Sequence, residues 1–350
     1  MPKPSTVTAR KEIVGRMFPN GLPALWCPTL THFLRDGALD VPRIRRHLQF
    51  IAPHVKGILV PGSTGEGWEM NDAEVRELVP VVLDAASELG IKVLVGVLKV
   101  RADEAIVTMT DTVAWARRRT GHTSDLDALV AAGIVGFTAC PPCGRDLTQD
   151  QIATALGEML GCGYPMAVYQ LPQVTENEVH PESLAALAAQ YPNLYLFKDT
   201  SGGDRVALSG VDLGGVFLVR GAEGEYSRWL KSAGGPYDGF LLSTANGFAR
   251  QLAEIVHLCR TGRTAEAASL SARLDRAIQG CFQSVAGFHA GNPFTNANKA
   301  FDHIFAYGTA ALDQPPPVLH SDVELPRPFI ERACDLLRAE GLLPERGYNE

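Results

Sequence analysis

What most constrains this chain is a repeated alternation of short apolar runs with segments of helical spacing. The runs are Leu22–Thr31, Lys56–Gly62, Lys92–Leu98, Ile134–Cys140, Met166–Leu171, Leu194–Phe197, Val216–Arg220 and Gly239–Ser243. Each is short and nearly uniformly apolar, the pattern of a strand covered on both faces. Between them Val41–Ile51, Asn71–Leu89, Ala102–Arg118, Asp127–Ala132, Thr148–Leu160, Pro181–Gln190, Asp204–Gly210, Tyr226–Ala233 and Phe248–Arg260 read as helices. Asn71 and Glu74 have capping-box spacing, and Pro181 stands in a first helical turn. Strand–helix alternation builds a parallel sheet, and eight such units close into a barrel more readily than they spread into an open sheet. The expected fold class is α/β, a (β/α)8 TIM barrel over residues 22–262.

Past that point the strands stop. Ala265–Ser284, Asn296–Phe305 and Phe329–Ala339 have helical spacing, with a proline-rich connector at Gln314–Pro317. A C-terminal helical extension is expected over 263–350, and a leader with at most partial order over 1–21. Lys and Arg total 32 against 39 Asp and Glu, so no basic field offers itself to nucleic acid or an anionic membrane. No apolar stretch reaches the length of a membrane span. Seven scattered cysteines and no secretion signal predict reduced thiols and a cytoplasmic protein.

Barrel enzymes place their chemistry at the carboxyl ends of the strands. After the second run comes Gly62-Ser63-Thr64-Gly65-Glu66, a tight loop whose backbone N–H groups and two hydroxyls suit a carboxylate or oxyanion. Tyr169 ends the fifth run, followed by Gln170. Lys198 ends the sixth, and Ser243-Thr244-Ala245-Asn246 closes the eighth. A lone strand-end lysine is ordinarily a solvated charge, and a lone tyrosine ordinarily packs. Together, a lysine at an apolar rim, a phenol and an anion loop perform one job. The lysine condenses with the keto group of a 2-oxo acid, the loop holds the adjacent carboxylate and the phenol moves protons.

Other signals are weaker. Cys140-Pro141-Pro142-Cys143 has a redox or half-zinc spacing, but no second pair lies nearby and the prolines favour a stiff turn. The nine histidines show no metal-binding spacing, and His289 and His303 read as structural, so no metal is expected. No phosphate loop and no complete dinucleotide fingerprint occurs.

These motifs resemble the dihydrodipicolinate synthase / N-acetylneuraminate lyase family of class I, Schiff-base aldolases. The resemblance runs from about Leu22 to the end of the chain. It rests on Pro28-Thr29, the Asp36-Gly37 turn, Gly62–Glu66, Tyr169-x-x-Pro172, Lys198-Asp199, Ser243 and Asn246, and Asn292-Pro293 followed by Lys299, with an apparent insertion around Arg117–Asp127. It implies Lys198 as the imine-forming residue, Tyr169 as general acid/base and Thr64 as its proton relay. Ser63 and Thr64, with Gly62, Gly65 and Ser243, would bind the substrate. It further implies a pyruvate-type partner, no cofactor beyond the covalent lysine imine, and a homodimer or homotetramer.

Departures shape the substrate expectation. Where the synthases carry an arginine five residues after the tyrosine, this chain has Val174, which cannot grip a carboxylate. Cys143 stands roughly where they place a tyrosine that reaches a neighbouring subunit, and Gln170 replaces the usual Asn. Lysine-pathway synthesis is thus disfavoured. Val174, Cys143, Gln170 and Glu223 are the expected specificity positions, with Trp26, Cys27, Thr29, Trp68 and Glu69 as secondary candidates. The leading expectation is a pyruvate-dependent aldolase acting on a 2-keto-3-deoxy acid or a related compound. Alternatives are a sugar-acid dehydratase, the synthase itself, a metal-dependent barrel aldolase and a non-catalytic 2-oxo acid binding protein.

Overall fold

The computed structural model describes residues 5–349. Eight parallel strands, β1 (Leu25–Pro28), β2 (Gly57–Val60), β3 (Lys92–Val97), β4 (Ile134–Ala139), β5 (Met166–Gln170), β6 (Leu194–Asp199), β7 (Phe217–Arg220) and β8 (Gly239–Leu241), pair in chain order into one closed barrel. Nearly every strand residue is buried, as the unbroken apolar runs require. Helices follow the strands: α1 (Thr6–Met17) precedes β1, and α2 (Val41–Ile51) and α3 (Asp72–Glu88) flank β2. After β3 come α4 (Ala102–Thr120) and α5 (Asp125–Ala131), and after β4 comes α6 (Gln149–Gly161). After β5 come α7 (Pro172–Thr175) and α8 (Pro181–Gln190), and after β6 comes α9 (Arg205–Leu208). The chain closes with α10 (Ala245–Arg260), α11 (Thr264–Val285), α12 (Pro293–Tyr307) and α13 (Arg327–Ala339).

Contact density divides the chain into two compact units. The first comprises Met1–Ala24, Lys92–Ala222 and Pro236–Leu241, and the second Leu25–Ile91, Glu223–Gly235 and Leu242–Glu350. Within the first, α1 is anchored by Arg10, whose buried guanidinium donates to the carbonyls of Leu194, Gly214, Ala188 and Tyr191. This corrects the expectation of a poorly ordered leader: Thr6–Met17 forms a helix capped by Ser5, held by one buried cation rather than by an apolar stripe. Within the second, α11 packs on α10, α12 and α13.

Local signals fixed most boundaries. Asn71 caps α3 with the reciprocal Glu74 bond expected of a capping box, and Thr148 and Gln151 do the same for α6. Two expectations fail. Tyr226–Ala233 is not a helix; only Lys231–Ala233 makes a single 3-10 turn. There the chain doubles back so tightly that a Cβ on Gly235 would sit 2.3 Å from the backbone of Trp229. The sixth strand does not end at Phe197 but continues through Lys198 and Asp199, which pair with Tyr169 and Gln170 of β5.

Candidate active site

In the first unit, register explains how side chains are sorted. Side chains alternate along a strand, so paired residues of neighbouring parallel strands share a face. Tyr169 of β5, Lys198 of β6 and Val219 of β7 lie in one row, and Gln170, Asp199 and Arg220 in the next, facing the other way. Lys198 and Tyr169 are 3% and 2% exposed, and the Lys198 Nζ stands 3.9 Å from the centre of the Tyr169 ring. An ammonium over a desolvated ring face is attracted by the ring quadrupole. Gly221, just beyond β7, makes room for this lysine: a Cβ there would come within 2.9 Å of Lys198 Cε and 2.3 Å of Thr200 Cγ2.

Cys140, beyond the end of β4, is buried, and burial pushes its thiol up to about 12, with the Lys198 charge acting in the opposite sense. It is a neutral thiol at physiological pH and a poor nucleophile. Cys143 is exposed, and all seven cysteines are free. The Cys143 thiol donates to the carbonyl of Val174 at 3.6 Å, so two of the expected specificity positions are neighbours.

Gln170 is corrected. It is completely buried on the face opposite Tyr169, its amide donates to Asp199 Oδ1 at 3.3 Å, and its carbonyl accepts from the Val179 N–H at 2.8 Å. Both ends of the side chain are committed to the fold, so it does not select substrate. It belongs instead to a buried polar row that sequence reasoning missed. Asp199 Oδ1 also accepts from the Ser201 N–H at 2.9 Å. Tyr237 donates to Asp204 Oδ1 at 2.6 Å, and Arg220 grips both Asp204 oxygens at 3.0 and 3.1 Å. Burial raises the Asp199 carboxyl above its ordinary range. The available signal was period two: Asp199 and Arg220 each stand one residue beyond the Lys198 row.

In the second unit, Ser63–Gly65 forms a single 3-10 turn after β2. The amides of Gly65 and Gly67 donate to the Gly62 carbonyl and that of Glu66 to the Ser63 carbonyl. This narrows the expected anion-binding donors, because the Gly65 N–H is spent inside the loop. Ser63 Oγ accepts from the Trp68 indole at 2.9 Å, which orients the hydroxyl to act as a donor. Thr64 is buried.

The loop is pinned from α12. Asn292 Nδ2 donates to the Ser63 carbonyl at 3.0 Å, and Thr295 Oγ1 to the Thr64 carbonyl at 3.0 Å. Glu66, in a left-handed conformation with φ 61°, forms a buried ion pair with Lys299 at 2.5 Å and accepts the His320 N–H at 2.8 Å. Burial lowers the Lys299 ammonium, and Glu66 works against that shift. The family positions Asn292-Pro293 and Lys299 thus act on the loop through its backbone.

Glu223 is also corrected. Its carboxylate accepts the hydroxyls of Ser243 at 2.6 Å, Thr244 at 2.7 Å and Tyr226 at 2.9 Å, and the Thr244 N–H at 3.1 Å. Four donors saturate it, so it organises the segment after β8 rather than standing ready for a ligand. The Ser243 proton is likewise committed to Glu223. Trp26 and Cys27 are wholly buried, Trp26 lying against Gly57, where a Cβ would clash with the indole at 2.2 Å.

His32, His47 and Asp302 form a buried cluster of potential ligand atoms. Its facing atoms are already bonded: His32 Nε2 lies 3.3 Å from His47 Nδ1 and His47 Nε2 3.0 Å from the Asn246 carbonyl, while Arg43 and Tyr348 occupy the two Asp302 oxygens. A guanidinium 2.8 Å from the only carboxylate repels a cation.

The sequence profile of the dihydrodipicolinate synthetase family matches residues 22–290. The chain belongs to this family. Family members are class I lysine Schiff-base aldolases and lyases. Among relatives of the dihydrodipicolinate synthetase family, a DapA-like lyase of Rhizobium meliloti is 28% identical over 49% of this chain. That match spans about half the length of the Rhizobium protein, 51%. The probable 2-dehydro-3-deoxy-D-pentonate aldolase YjhH of Escherichia coli is 27% identical over 91% of this chain and 97% of its own. Among solved structures, YagE of E. coli K12, crystallised in complex with pyruvate, superposes with a TM-score of 0.69 over 91% of this chain and 98% of its own at 19% identity. That likeness is one of fold. No helix among the described residues is long and apolar enough to cross a membrane.

Proposed function

We propose that the protein is a pyruvate-dependent aldolase that works through an imine on Lys198. The observation that carries this reading is the desolvated pair of β5 and β6: Lys198 Nζ held 3.9 Å from the Tyr169 ring centre, in the register row where the family's Tyr-x-x-Pro and Lys-Asp motifs fall. Lys198, as the free amine, attacks the C2 carbonyl of a 2-oxo acid. The carbinolamine loses water, and the protonated imine becomes an electron sink. Tyr169, as the phenolate, takes the proton of the C4 hydroxyl, the C3–C4 bond breaks, and an aldehyde leaves. The electron pair rests in the enamine, which takes a proton at C3 and is hydrolysed to pyruvate and free Lys198.

The family resemblance assigns Ser63 to the substrate carboxylate and Thr64 to the proton relay, and within its own unit Trp68 orients the Ser63 hydroxyl. The water lost in forming the imine is matched by the water taken up in its hydrolysis, so the reaction as written consumes only substrate and requires no cofactor. Val174 and Cys143 themselves supply no cation where the synthases carry an arginine, which favours a neutral hydroxylated or aldehydic fragment over the carboxylate of the synthase reaction. Some relatives carry aldolase names, YjhH being a probable 2-dehydro-3-deoxy-D-pentonate aldolase, while others are named 4-hydroxy-tetrahydrodipicolinate synthases. The same inventory without retro-aldol cleavage would serve a dehydratase. A panel of 2-keto-3-deoxy sugar acids separates the two. An aldolase releases pyruvate and an aldehyde from one of them, and release is lost in Lys198→Ala. A product that retains all the carbons and lacks one water would replace aldol cleavage by dehydration. A homo-oligomer is the assembly that the family resemblance favours.

A further inference from the structure

Arg220 is the last residue of β7, in the register row that faces away from Lys198 and Tyr169. The chemistry proposed above gives it no part. An arginine at a strand end is ordinarily a solvated charge, yet this one is 6% exposed. Within the first unit its Nε and Nη2 grip the two oxygens of Asp204 at 3.0 and 3.1 Å, and its Nη1 donates to the Ala222 carbonyl at 2.7 Å. A planar guanidinium can hold a carboxylate along one edge and a carbonyl at its other end, which an ammonium cannot do.

Asp204 is itself fixed. It is buried, takes the left-handed conformation φ 52°, ψ 25°, and accepts the Tyr237 hydroxyl at 2.6 Å. Burial pushes the Tyr237 phenol up, so it stays protonated and remains a donor. A left-handed residue other than glycine persists where its surroundings hold it, and such positions cluster at functional sites.

Gly221 lies between the two ends of the clamp. Its N–H donates to the Asp199 carbonyl at 2.6 Å, and a Cβ on it would come within 2.9 Å of Lys198 Cε. The bond from Arg220 to the Ala222 carbonyl closes the chain around Gly221, so residues 220–222 form a short arch against the lysine side chain. Lys198 is thus bounded by the arch at Cε and by the Tyr169 ring at Nζ.

We propose that Arg220, clamped by Asp204 and Tyr237, is a positioning residue for Lys198: it fixes the 220–222 arch and so holds the amine over Tyr169. The catalytic consequence rests on the reading of Lys198 as the imine-forming group. Arg220 acts through Gly221 and not on substrate, because its row faces the other way. Displacing a reacting group by about 1 Å costs roughly a hundredfold in rate, so the clamp bears on the rate of imine formation and little on affinity.

The test uses the full chain with Arg220→Lys, which keeps the charge but not the fork, and with the near-isosteric Tyr237→Phe. Arg10→Ala is the control, since it removes another buried guanidinium of the same unit, one that bonds the opening residue of β6. Competitive acetylation, read by mass spectrometry as Lys198 against the exposed Lys56, needs no pyruvate. Relative labelling of Lys198 is expected to rise about tenfold in Arg220→Lys and about threefold in Tyr237→Phe, with no change in Arg10→Ala. With pyruvate and cyanoborohydride, the saturated trapping rate of Arg220→Lys is expected to fall roughly thirtyfold while half-saturating pyruvate stays within about twofold. Labelling unchanged in both clamp variants overturns the proposal, and so does a trapping rate equal to that of the unaltered chain. An equal rise in Arg10→Ala also overturns it, as the mark of general loosening of the fold. An unaltered chain that takes up no pyruvyl adduct, while Lys198 labelling still responds to Arg220 and Tyr237 alone, supports the clamp and overturns the proposed function.

Discussion

Replacing Lys299 by Met tests whether α12 holds the Ser63–Gly65 loop. Lys299 and Glu66 are each 1% exposed and meet at 2.5 Å. Lys299→Met keeps the volume of the side chain but leaves the Glu66 carboxylate buried with the His320 N–H on one oxygen and no cation on the other. Removing one partner of a buried ion pair costs about 3–5 kcal/mol, most of it the desolvation of the abandoned charge. For 350 residues the unfolding entropy is about 0.7 kcal/mol/K, so a cost of about 4 kcal/mol lowers the thermal midpoint by about 5 °C. Adding Glu66→Gln removes the abandoned charge while a side-chain carbonyl still receives the His320 N–H, so the double variant is expected to lose only about 2 °C. The assay is thermal unfolding by circular dichroism, with turnover measured beside it. A single variant shifted by less than about 1 °C, or a double variant worse than the single, would refute the reasoning.

Three further outcomes follow from other parts of the molecule. Arg10→Ala strands the carbonyls that α1 satisfies and is expected to cost about 3 kcal/mol, read as a fall of about 4 °C in the thermal midpoint; an unchanged midpoint would restore the view of 6–17 as an incidental leader. Burial lowers the His32 and His47 imidazoles below the ordinary value of 6.5. The unfolded chain therefore takes up protons first, and the stability these histidines supply is full above pH 6.5 and lost as pH falls below it, by about 1.4 kcal/mol per histidine per pH unit. A urea midpoint equal at pH 7.5 and 5.5 would contradict this. Gly221→Ala places a methyl 2.9 Å from Lys198 Cε and 2.3 Å from Thr200 Cγ2 and is expected to cut kcat by roughly a hundredfold, with overpacking of about 1–3 kcal/mol lowering the thermal midpoint by about 1–4 °C; full activity would show that Lys198 needs no such clearance.

Much of this was legible in the chain. The apolar runs located all eight strands because strands covered on both faces have no polar side to blur the pattern. Helix starts were legible where side chains cap them, as at Asn71. The expected Phe248–Arg260 helix starts at a real discontinuity: α10 begins at Ala245, but Phe248 has φ −104° and ψ 25°. What failed was set by distant contacts. The α1 helix depends on Arg10 reaching carbonyls far along the chain, and nothing in the local pattern of Thr6–Met17 announces that. Tyr226–Ala233 has helical spacing, yet Gly235 must pack on the Trp229 backbone and the turn wins. Gln170 and Glu223 stand at strand ends, where ligand contacts are made, but their partners, Asp199 with Val179 and Ser243 with Thr244 and Tyr226, come from other segments. Identity at a strand end was readable; the face and the bonding state were not.

The central claim is an imine on one lysine. Incubation with pyruvate followed by borohydride reduction, proteolysis and mass spectrometry addresses it directly. A reduced pyruvyl adduct on the peptide bearing Lys198, absent from Lys198→Ala, is the predicted result. An intact protein that acquires no adduct, or acquires it on another lysine, would contradict the account.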